Sequence, residues 1–121
     1  MKKALVVDDS STMRDILHDV LQEIGLAVSE AKDGVEGWET LRSGAPFAVA
    51  LVDWNMPRMT GCELLQKIRE DHQFDDMSVV IVTTETEMSK VQTVLQYGAN
   101  GYIVKPFKVD AVVDQLRALG V

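Results

Sequence analysis

The 121-residue sequence has little of several features on which common protein classes depend. It contains one cysteine, Cys62, so an internal disulfide is impossible and a secreted, cross-linked domain is not expected. Its longest apolar run covers only residues 47–52, far too short to span a membrane. Asp8 and Asp9 break the apolar start of the chain too early for the hydrophobic region of a signal peptide. We therefore expect a cytoplasmic protein without membrane insertion.

Positive charge is also scarce. The chain has 12 basic and 19 acidic side chains, and its formal net charge is −7. Nucleic acids and anionic lipids favour clustered Lys and Arg, so we expect no direct binding to nucleic acid. An acidic surface promotes solubility, but carboxylates can also be gathered around a divalent cation. The charge alone leaves both explanations open.

The remaining composition is that of an ordinary globular domain. Hydrophobic residues make up 46% of the chain and charged residues 26%, which excludes disordered and collagen-like classes. No repeat, low-complexity tract or flexible linker divides the sequence. We expect one domain over residues 1–121, with a core that buries roughly two-thirds of the surface of the unfolded chain.

Short apolar runs alternate along the chain with stretches of helical spacing. The runs predict five strands, at residues 4–7, 27–31, 47–52, 79–82 and 102–104. Five helices are predicted by apolar residues that begin at Met13, Val35, Leu64, Met88 and Val109. The second strand contains polar residues and is expected at a sheet edge. The alternation predicts an α/β fold with a doubly wound parallel sheet, because helices must cover both faces.

Capping residues bound several of the predicted helices. Ser11 is the predicted N-cap of the first helix, and Gly25 predicts its end. Asp33 predicts the start of the second helix, and Gly44 its end. Gly98 is placed to end the fourth helix in the left-handed conformation.

Polar side chains stand where the predicted strands end. Asp8 and Asp9 follow the first strand, and Asp53 follows the third. Thr83 follows the fourth strand and Lys105 the fifth. Open α/β sheets bind ligands beyond the carboxyl ends of their strands, so we expect these five residues to meet.

These residue types indicate phosphoryl chemistry. Three neighbouring carboxylates repel one another, so one of them has a raised pKa or a divalent cation binds them. Oxygen ligands without His or Cys favour Mg²⁺, Mn²⁺ or Ca²⁺ over zinc. Lys105 beside such a site indicates an anionic guest, to which Thr83 can donate a hydrogen bond. Asp53 can then accept a phosphoryl group while Asp8 and Asp9 hold the metal. No Walker loop points to a nucleotide.

Taken in order, the motifs resemble the signature of response-regulator receiver domains. The matching segments are Val6-Val7-Asp8-Asp9-Ser10, Val52-Asp53-Trp54-Asn55-Met56-Pro57 with Gly61, Val82-Thr83 and Lys105-Pro106-Phe107. The resemblance covers residues 3–119, and Ser11-Thr12-Met13-Arg14 is especially similar to single-domain chemotaxis regulators of the CheY type. The family implies a flavodoxin-like fold with five helices and the strand order 2-1-3-4-5.

The resemblance implies a two-component signalling switch driven by phosphorylation. Asp53 would be the phosphoacceptor, and a partner sensor histidine kinase would be the donor. Asp9, Asp53 and the backbone carbonyl of Asn55 would coordinate Mg²⁺, or Mn²⁺ in its place, and Asp8 would help through water. Lys105 would pair with the phosphoryl group.

The family also implies how the signal leaves the site. Thr83 would hydrogen-bond to the phosphoryl group, and Tyr102 would turn inward as Thr83 moves. The surface of the fourth helix, last strand and fifth helix would change, and a downstream protein such as a flagellar motor component would bind it. We expect a monomer with a cis Lys105-Pro106 bond, which catalyses only its own phosphorylation and dephosphorylation. Thr84 is bulkier than the family usually has there, and Asn55 and Glu85 flank the site, where the family tunes dephosphorylation.

The sequence is also compatible with three other functions. A flavodoxin-like cofactor binder would need a phosphate-cradling loop after the first strand, where this chain is acidic. A metal-dependent phosphohydrolase with an aspartate nucleophile would need a larger cap or pocket than this length allows. The chain could also be the receiver part of a longer regulator with an output domain.

Overall fold

The protein was studied as a computed structural model, which describes residues 2–43, 46–84 and 88–121. Strands and helices alternate through these residues. The strands are β1 (Lys3–Val7), β2 (Ala27–Ala31), β3 (Val49–Asp53), β4 (Ser78–Thr83) and β5 (Gly101–Val104). The helices are α1 (Ser11–Glu23), α2 (Gly34–Arg42), α3 (Gly61–Glu70), α4 (Met88–Gln96) and α5 (Val109–Ala118). A short 3₁₀ helix, His72–Phe74, precedes β4.

The five strands form one parallel sheet in the order β2-β1-β3-β4-β5. The flavodoxin-like α/β architecture and its strand order are therefore confirmed, and β2 lies at the predicted edge. All five strands point the same way, so their carboxyl ends meet along one side of the sheet. None of the helices in the described residues is long and apolar enough to cross a membrane.

The sheet separates two hydrophobic clusters. Alternate side chains of each central strand enter opposite clusters, as the period of two in a strand requires. One cluster lies against α2, α3 and α4 and includes Leu5, Val7, Ala50, Val52, Leu64, Leu65, Ile68, Ile81 and Val94. The other lies against α1 and α5 and includes Ala4, Val6, Leu17, Leu21, Leu51, Val80, Val112 and Leu116. Burial of each large apolar side chain stabilises the fold by roughly 1.5–3 kcal/mol before entropy is subtracted.

Most of the predicted helix boundaries are correct, and one is wrong by a residue. The N-cap of α1 is Ser10 and not Ser11: its backbone is extended, and its side chain accepts from the Met13 N–H at 3.2 Å. Asp33 caps α2 as predicted, and Gly98 has a φ of 104°. The predicted stop at Gly44 lies outside the described residues.

The third strand also begins later than predicted. The apolar pattern starts at Phe47, but β3 begins at Val49. Phe47 packs partly buried against the edge of the first cluster, and the ammonium of Lys3 lies 5.8 Å from the centre of its ring. An apolar run therefore predicts burial at residue 47 but not strand pairing.

Arg69 joins α3 to the segments on either side of β4. Its guanidinium donates to the carbonyl oxygens of Gly98, Phe74 and Met77 at 2.9, 2.9 and 2.8 Å. It also donates to Oδ1 of Asn100 at 2.8 Å, and that oxygen accepts from the Val79 N–H. This arginine supplies a donor to the carbonyl oxygens of Gly98 and Met77, and a second donor to that of Phe74, which also accepts from the Met77 N–H.

Candidate functional site

The carboxyl ends of β1 and β3 bring three carboxylates together. Asp8 and Asp9 follow β1, and Asp53 is the last residue of β3. One carboxylate oxygen of each lies within 4.8 Å of the others. Asp8 and Asp53 are only 1% and 7% exposed, whereas Asp9 is exposed. The group is therefore partly sealed by protein but open to solvent on the side of Asp9.

Lys105 follows β5 and completes the cluster. Its Nζ lies 3.0 Å from Oδ2 of Asp8 and 3.2 Å from Oδ1 of Asp53. Its backbone N–H donates to the carbonyl oxygen of Thr83 at 2.7 Å, so the lysine is tied to the end of β4. The Lys105-Pro106 peptide bond is cis, as the resemblance implies.

The electrostatics of the cluster follow from burial and like charge. Burial, and then the neighbouring charge of Asp8, raise the pKa of Asp53 from 3.8 to about 6, although Lys105 opposes this. Burial acts to lower the pKa of Lys105, but the hydrogen bond that it donates to Asp8 and the charges of both aspartates raise it overall. One ammonium thus faces more negative charge than it can neutralise.

Asp8 is held by contacts that the sequence pattern does not reveal. Its Oδ1 accepts from the Ser10 N–H at 2.9 Å, and its backbone carbonyl accepts from Nη1 of Arg14 at 2.6 Å. Nε of Arg14 lies 3.4 Å from Glu30 in β2. The turn between β1 and α1 is therefore fixed both by its own backbone and by an arginine one helical turn further on.

The other predicted site residues lie around this cluster. Thr83 ends β4 and is 3% exposed, next to the strand that ends in Asp53. Asn55 lies two residues beyond Asp53 and is exposed. Tyr102 lies in β5 with 37% of its surface exposed. Thr84 is exposed, and Glu85 lies outside the described residues.

The loop between β3 and α3 is packed tightly against the site. The Gly61 N–H donates to the carbonyl oxygen of Trp54 at 2.9 Å. A Cβ placed on Gly61 would overlap the carbonyl oxygen of Asp53, and it would lie 3.0 Å from the Cα of Trp54. Glycine is required there because the start of α3 crosses the end of β3 at backbone distance.

The sequence pattern also missed an ion pair beside the cluster. Nε and Nη2 of Arg58 donate to Oδ2 and Oδ1 of Asp33 at 3.0 and 3.1 Å. The hydrogen bond from Arg58, and then that from the Glu36 backbone, lower the pKa of Asp33. Because the two residues lie on different loops, no local motif could have paired them.

The carboxylate cluster fits a small, hard cation. Its donor atoms are all oxygens, and within the described ranges no His or Cys joins the group. Negative charge exceeds positive charge, and the charge of Asp8 adds to burial in raising the pKa of Asp53. Mg²⁺ typically binds one or two carboxylates together with water and phosphate oxygens, which matches the partly open cluster.

Comparisons with known proteins give one consistent result. The family model for the response regulator receiver domain matches residues 4–117. The chain is 44% identical over 118 residues to the chemotaxis protein CheY1 of Helicobacter pylori strain J99, covering 97% of this chain and 95% of that protein. It is 45% identical over 116 residues to the chemotaxis protein CheY homolog of Campylobacter jejuni strain 81-176, covering 95% and 89%. The solved structure of chemotaxis protein CheY4 of Vibrio cholerae, crystallised at low pH, superposes with a TM-score of 0.92 at 36% identity, covering 98% of each chain.

Proposed function

The chain belongs to the response regulator receiver domains of two-component signalling, and on that premise we propose that it accepts a phosphoryl group on Asp53 in a Mg²⁺-dependent reaction. One observation carries the proposal: the ammonium of Lys105 contacts both Asp8 and Asp53 where three carboxylates converge. This arrangement combines a nucleophile, a site for a cation and a clamp for phosphoryl oxygens.

Asp53 is the proposed nucleophile. A bond forms between one of its carboxylate oxygens and phosphorus, while the P–N bond of a donor phosphohistidine breaks and its electron pair leaves with the imidazole. The small exposed fraction of Asp53 limits water around the reacting oxygen. Its raised pKa makes the carboxylate more basic than an ordinary aspartate, yet still ionised above about pH 6.

The neighbouring side chains would hold the cation and the transferred group. Asp9, Asp53 and the backbone carbonyl of Asn55 are the proposed direct ligands of Mg²⁺, with Asp8 acting through water. A bound Mg²⁺ would neutralise the carboxylates and the charge on the phosphoryl oxygens. Lys105 is close enough to both aspartates to exchange its contact with Asp53 for one with a phosphoryl oxygen.

The proposed output is a changed surface on α4, β5 and α5. Thr83 would donate to a phosphoryl oxygen, and Tyr102, now partly exposed, would turn inward behind it. A groove of about 490 Å³ runs beside β5 and α5, where Tyr102, Phe107 and Ala111 line it. A protein that binds this groove would sense whether Tyr102 is turned out or in.

The relatives support a proposal for the biological setting. Because both are chemotaxis proteins and match over most of their length, we propose a chemotaxis role. The chain would act in the cytoplasm, where a sensor histidine kinase would phosphorylate it and a downstream protein such as a flagellar motor component would bind it. We propose that residues 1–121 act as one monomeric domain that modifies only itself.

The test uses a small phosphodonor. Acetyl phosphate with Mg²⁺ should add one phosphoryl group to the intact protein by mass spectrometry, and Asp53→Asn should abolish the addition. Asp76→Asn, an exposed aspartate, is the matched control and should be labelled normally. Labelling that persists in Asp53→Asn rejects the assignment. Multiple turnover of a phosphate ester such as p-nitrophenyl phosphate would support the phosphohydrolase alternative.

A further inference from the structure

The loop between β3 and α3 contains a residue with an unusual backbone conformation. Arg58 has a φ of 66°, and within the described ranges it is the one non-glycine residue with a positive φ. This conformation is unfavourable for a residue with a Cβ. Surrounding contacts must therefore hold the loop in place.

Those contacts come from the first turn of α2. Arg58 donates two parallel hydrogen bonds to the buried carboxylate of Asp33, at 3.0 and 3.1 Å. Such bidentate pairs fix orientation as well as distance. Oδ1 of Asp33 also accepts from the Glu36 N–H at 2.8 Å. The carboxylate thus caps α2 and holds the β3–α3 loop at the same time.

A backbone contact runs beside the ion pair. A Cβ on Gly34 would lie 2.7 Å from both Cβ and the carbonyl oxygen of Met59, so the start of α2 packs directly against the β3–α3 loop. The loop is anchored at its other end by Gly61, which lies against the backbone of Asp53. Arg58 is therefore the central attachment of a loop whose ends are already fixed.

This loop borders the carboxylate cluster. Asn55, the proposed carbonyl ligand, lies three residues before Arg58 in the chain. A cleft of about 420 Å³ is lined by Asp9, Lys32, Asp33, Pro57 and Arg58. The ion pair therefore forms one wall of the opening through which Asp9 reaches solvent.

We propose that the Arg58–Asp33 ion pair is a positioning clamp, which holds the β3–α3 loop in its cation-binding conformation before the cation arrives. The proposal rests on the metal site of the proposed function. Neither side chain touches the reacting atoms, so both are positioning residues. Without the clamp, the loop must be ordered when the cation binds, and the apparent affinity falls by the fraction of molecules already ordered.

The positive charge of Arg58 allows a clamping effect on cation affinity to be distinguished from a purely electrostatic effect. Removing a positive charge near a divalent cation site should strengthen cation binding if charge alone matters. Removing a clamp should weaken it. The two explanations therefore predict opposite signs for the same substitution.

The experiment measures Mg²⁺ affinity by the fluorescence of Trp54, which adjoins Asp53, in a Trp38→Phe background that removes the second emitter. Arg58→Asn is the main variant, because Asn tolerates positive φ and isolates the loss of the ion pair. We expect its Kd for Mg²⁺ to rise about three- to tenfold, as a loop ordered in about a tenth to a third of molecules requires. Lys32→Ala, which removes a cation from the same cleft, should leave the Kd unchanged or lower it.

A second variant tests the partner. Asp33→Asn keeps a good helix cap but weakens the ion pair, so it should also raise the Kd. The variant that carries both Arg58→Asn and Asp33→Asn should have a Kd for Mg²⁺ no higher than the higher of the two single-variant values. Both substitutions break the same ion pair, so their effects should not add. Circular dichroism checks that each variant is folded.

Each outcome has a defined meaning. An unchanged or lower Kd in folded Arg58→Asn overturns the clamp and leaves the metal site intact. A parent protein whose fluorescence shows no saturable Mg²⁺ response removed by Asp9→Ala overturns the metal site and the clamp together. A rise in Kd for Lys32→Ala as large as that for Arg58→Asn also overturns the clamp, because it would assign the effect to the cleft in general.

Discussion

Nζ of Lys105 lies 3.2 Å from Oδ1 of Asp53, although the two residues are 52 positions apart in the chain. The same ammonium contacts the almost fully buried Asp8 at 3.0 Å. The ammonium of Lys105 is therefore the counter-ion of two carboxylates that are shielded from water, and Asp9 lies close by. This excess of carboxylates over the single ammonium predicts how stability responds to substitution and to pH.

Asp53→Asn should stabilise the metal-free protein at neutral pH. The pKa of Asp53 is about 6 in the folded protein against 3.8 for an ordinary aspartate, so the folded state holds the proton more tightly. Ionisation therefore costs stability progressively from about pH 4 to 6, and the full cost remains above pH 6. Urea unfolding in EDTA at about pH 8 should show a gain of about 1–2 kcal/mol, which is less than the full shift because solvent screens part of it.

The same substitution should have almost no effect at about pH 4, where Asp53 is protonated in the folded protein. Asp114→Asn on the exposed side of α5 is the control and should change stability by less than about 0.5 kcal/mol at either pH. A gain that is equal at both pH values would contradict the assigned cause.

Lys105→Met should destabilise the protein, and more strongly at high pH. The raised pKa of Lys105 means that its stabilising charge is fully present throughout the neutral range and is lost only at strongly alkaline pH. Removing it leaves the carboxylates of Asp8 and Asp53 uncompensated, at a cost of about 2–4 kcal/mol near pH 8. Near pH 5 the cost should be smaller, because Asp53 then takes up a proton.

Lys108→Met is the matched control for that experiment, because Lys108 is exposed and its side chain does not cap α5. It should change stability by less than about 0.5 kcal/mol. If Lys105→Met costs no more than Lys108→Met at either pH, the lysine is not the counter-ion of the cluster.

Gly61→Ala should disturb the carboxylate cluster by displacing the backbone of Asp53. The new methyl would overlap the carbonyl oxygen of Asp53, so the start of α3 or the end of β3 must move. We expect a loss of about 2 kcal/mol or more in the free energy of unfolding, together with slower phosphorylation by acetyl phosphate. Gly120→Ala, where a Cβ meets nothing within 4 Å, should cost only about 1 kcal/mol for its positive φ and leave phosphorylation unchanged.

Arg69→Met should be among the more destabilising substitutions on α3, at about 2–4 kcal/mol, because four hydrogen bonds are lost and the carbonyl oxygens of Gly98 and Met77 lose the guanidinium donor. Asn100→Ala should also destabilise, and a double-mutant cycle by urea unfolding should show that the two effects do not add. Arg117→Met, exposed in the last turn of α5, should be nearly neutral. Additive effects of Arg69 and Asn100 would show that their contact contributes little.

Much of the fold could be predicted because its strands and helices have distinct patterns. The fully apolar segments of β3 and β4 identify buried strands, and the polar residues of β2 identify an edge. The order of the strands does not follow from periodicity, and only the family resemblance supplied it. The capping error at Ser10 and Ser11 arose because two adjacent serines are equivalent until the backbone conformation is known.

The acidic cluster could be predicted for a geometric reason. Parallel strands share one carboxyl edge, so residues such as Asp53 and Lys105 meet regardless of their separation in the chain. The Arg58–Asp33 pair could not be predicted in the same way. The pair depends on the left-handed backbone conformation of Arg58 and on the direction of its long side chain. Neither property produces a periodic pattern in the sequence.

The division of the interior by the sheet has a consequence for evolutionary change. Because none of the described side chains belongs to both hydrophobic clusters, repacking beneath α1 and α5 should have little effect on the layer beneath α2 and α3. Substitutions on opposite sides should accumulate almost independently. A lineage could therefore remodel one flank for a new binding partner without first re-optimising the other.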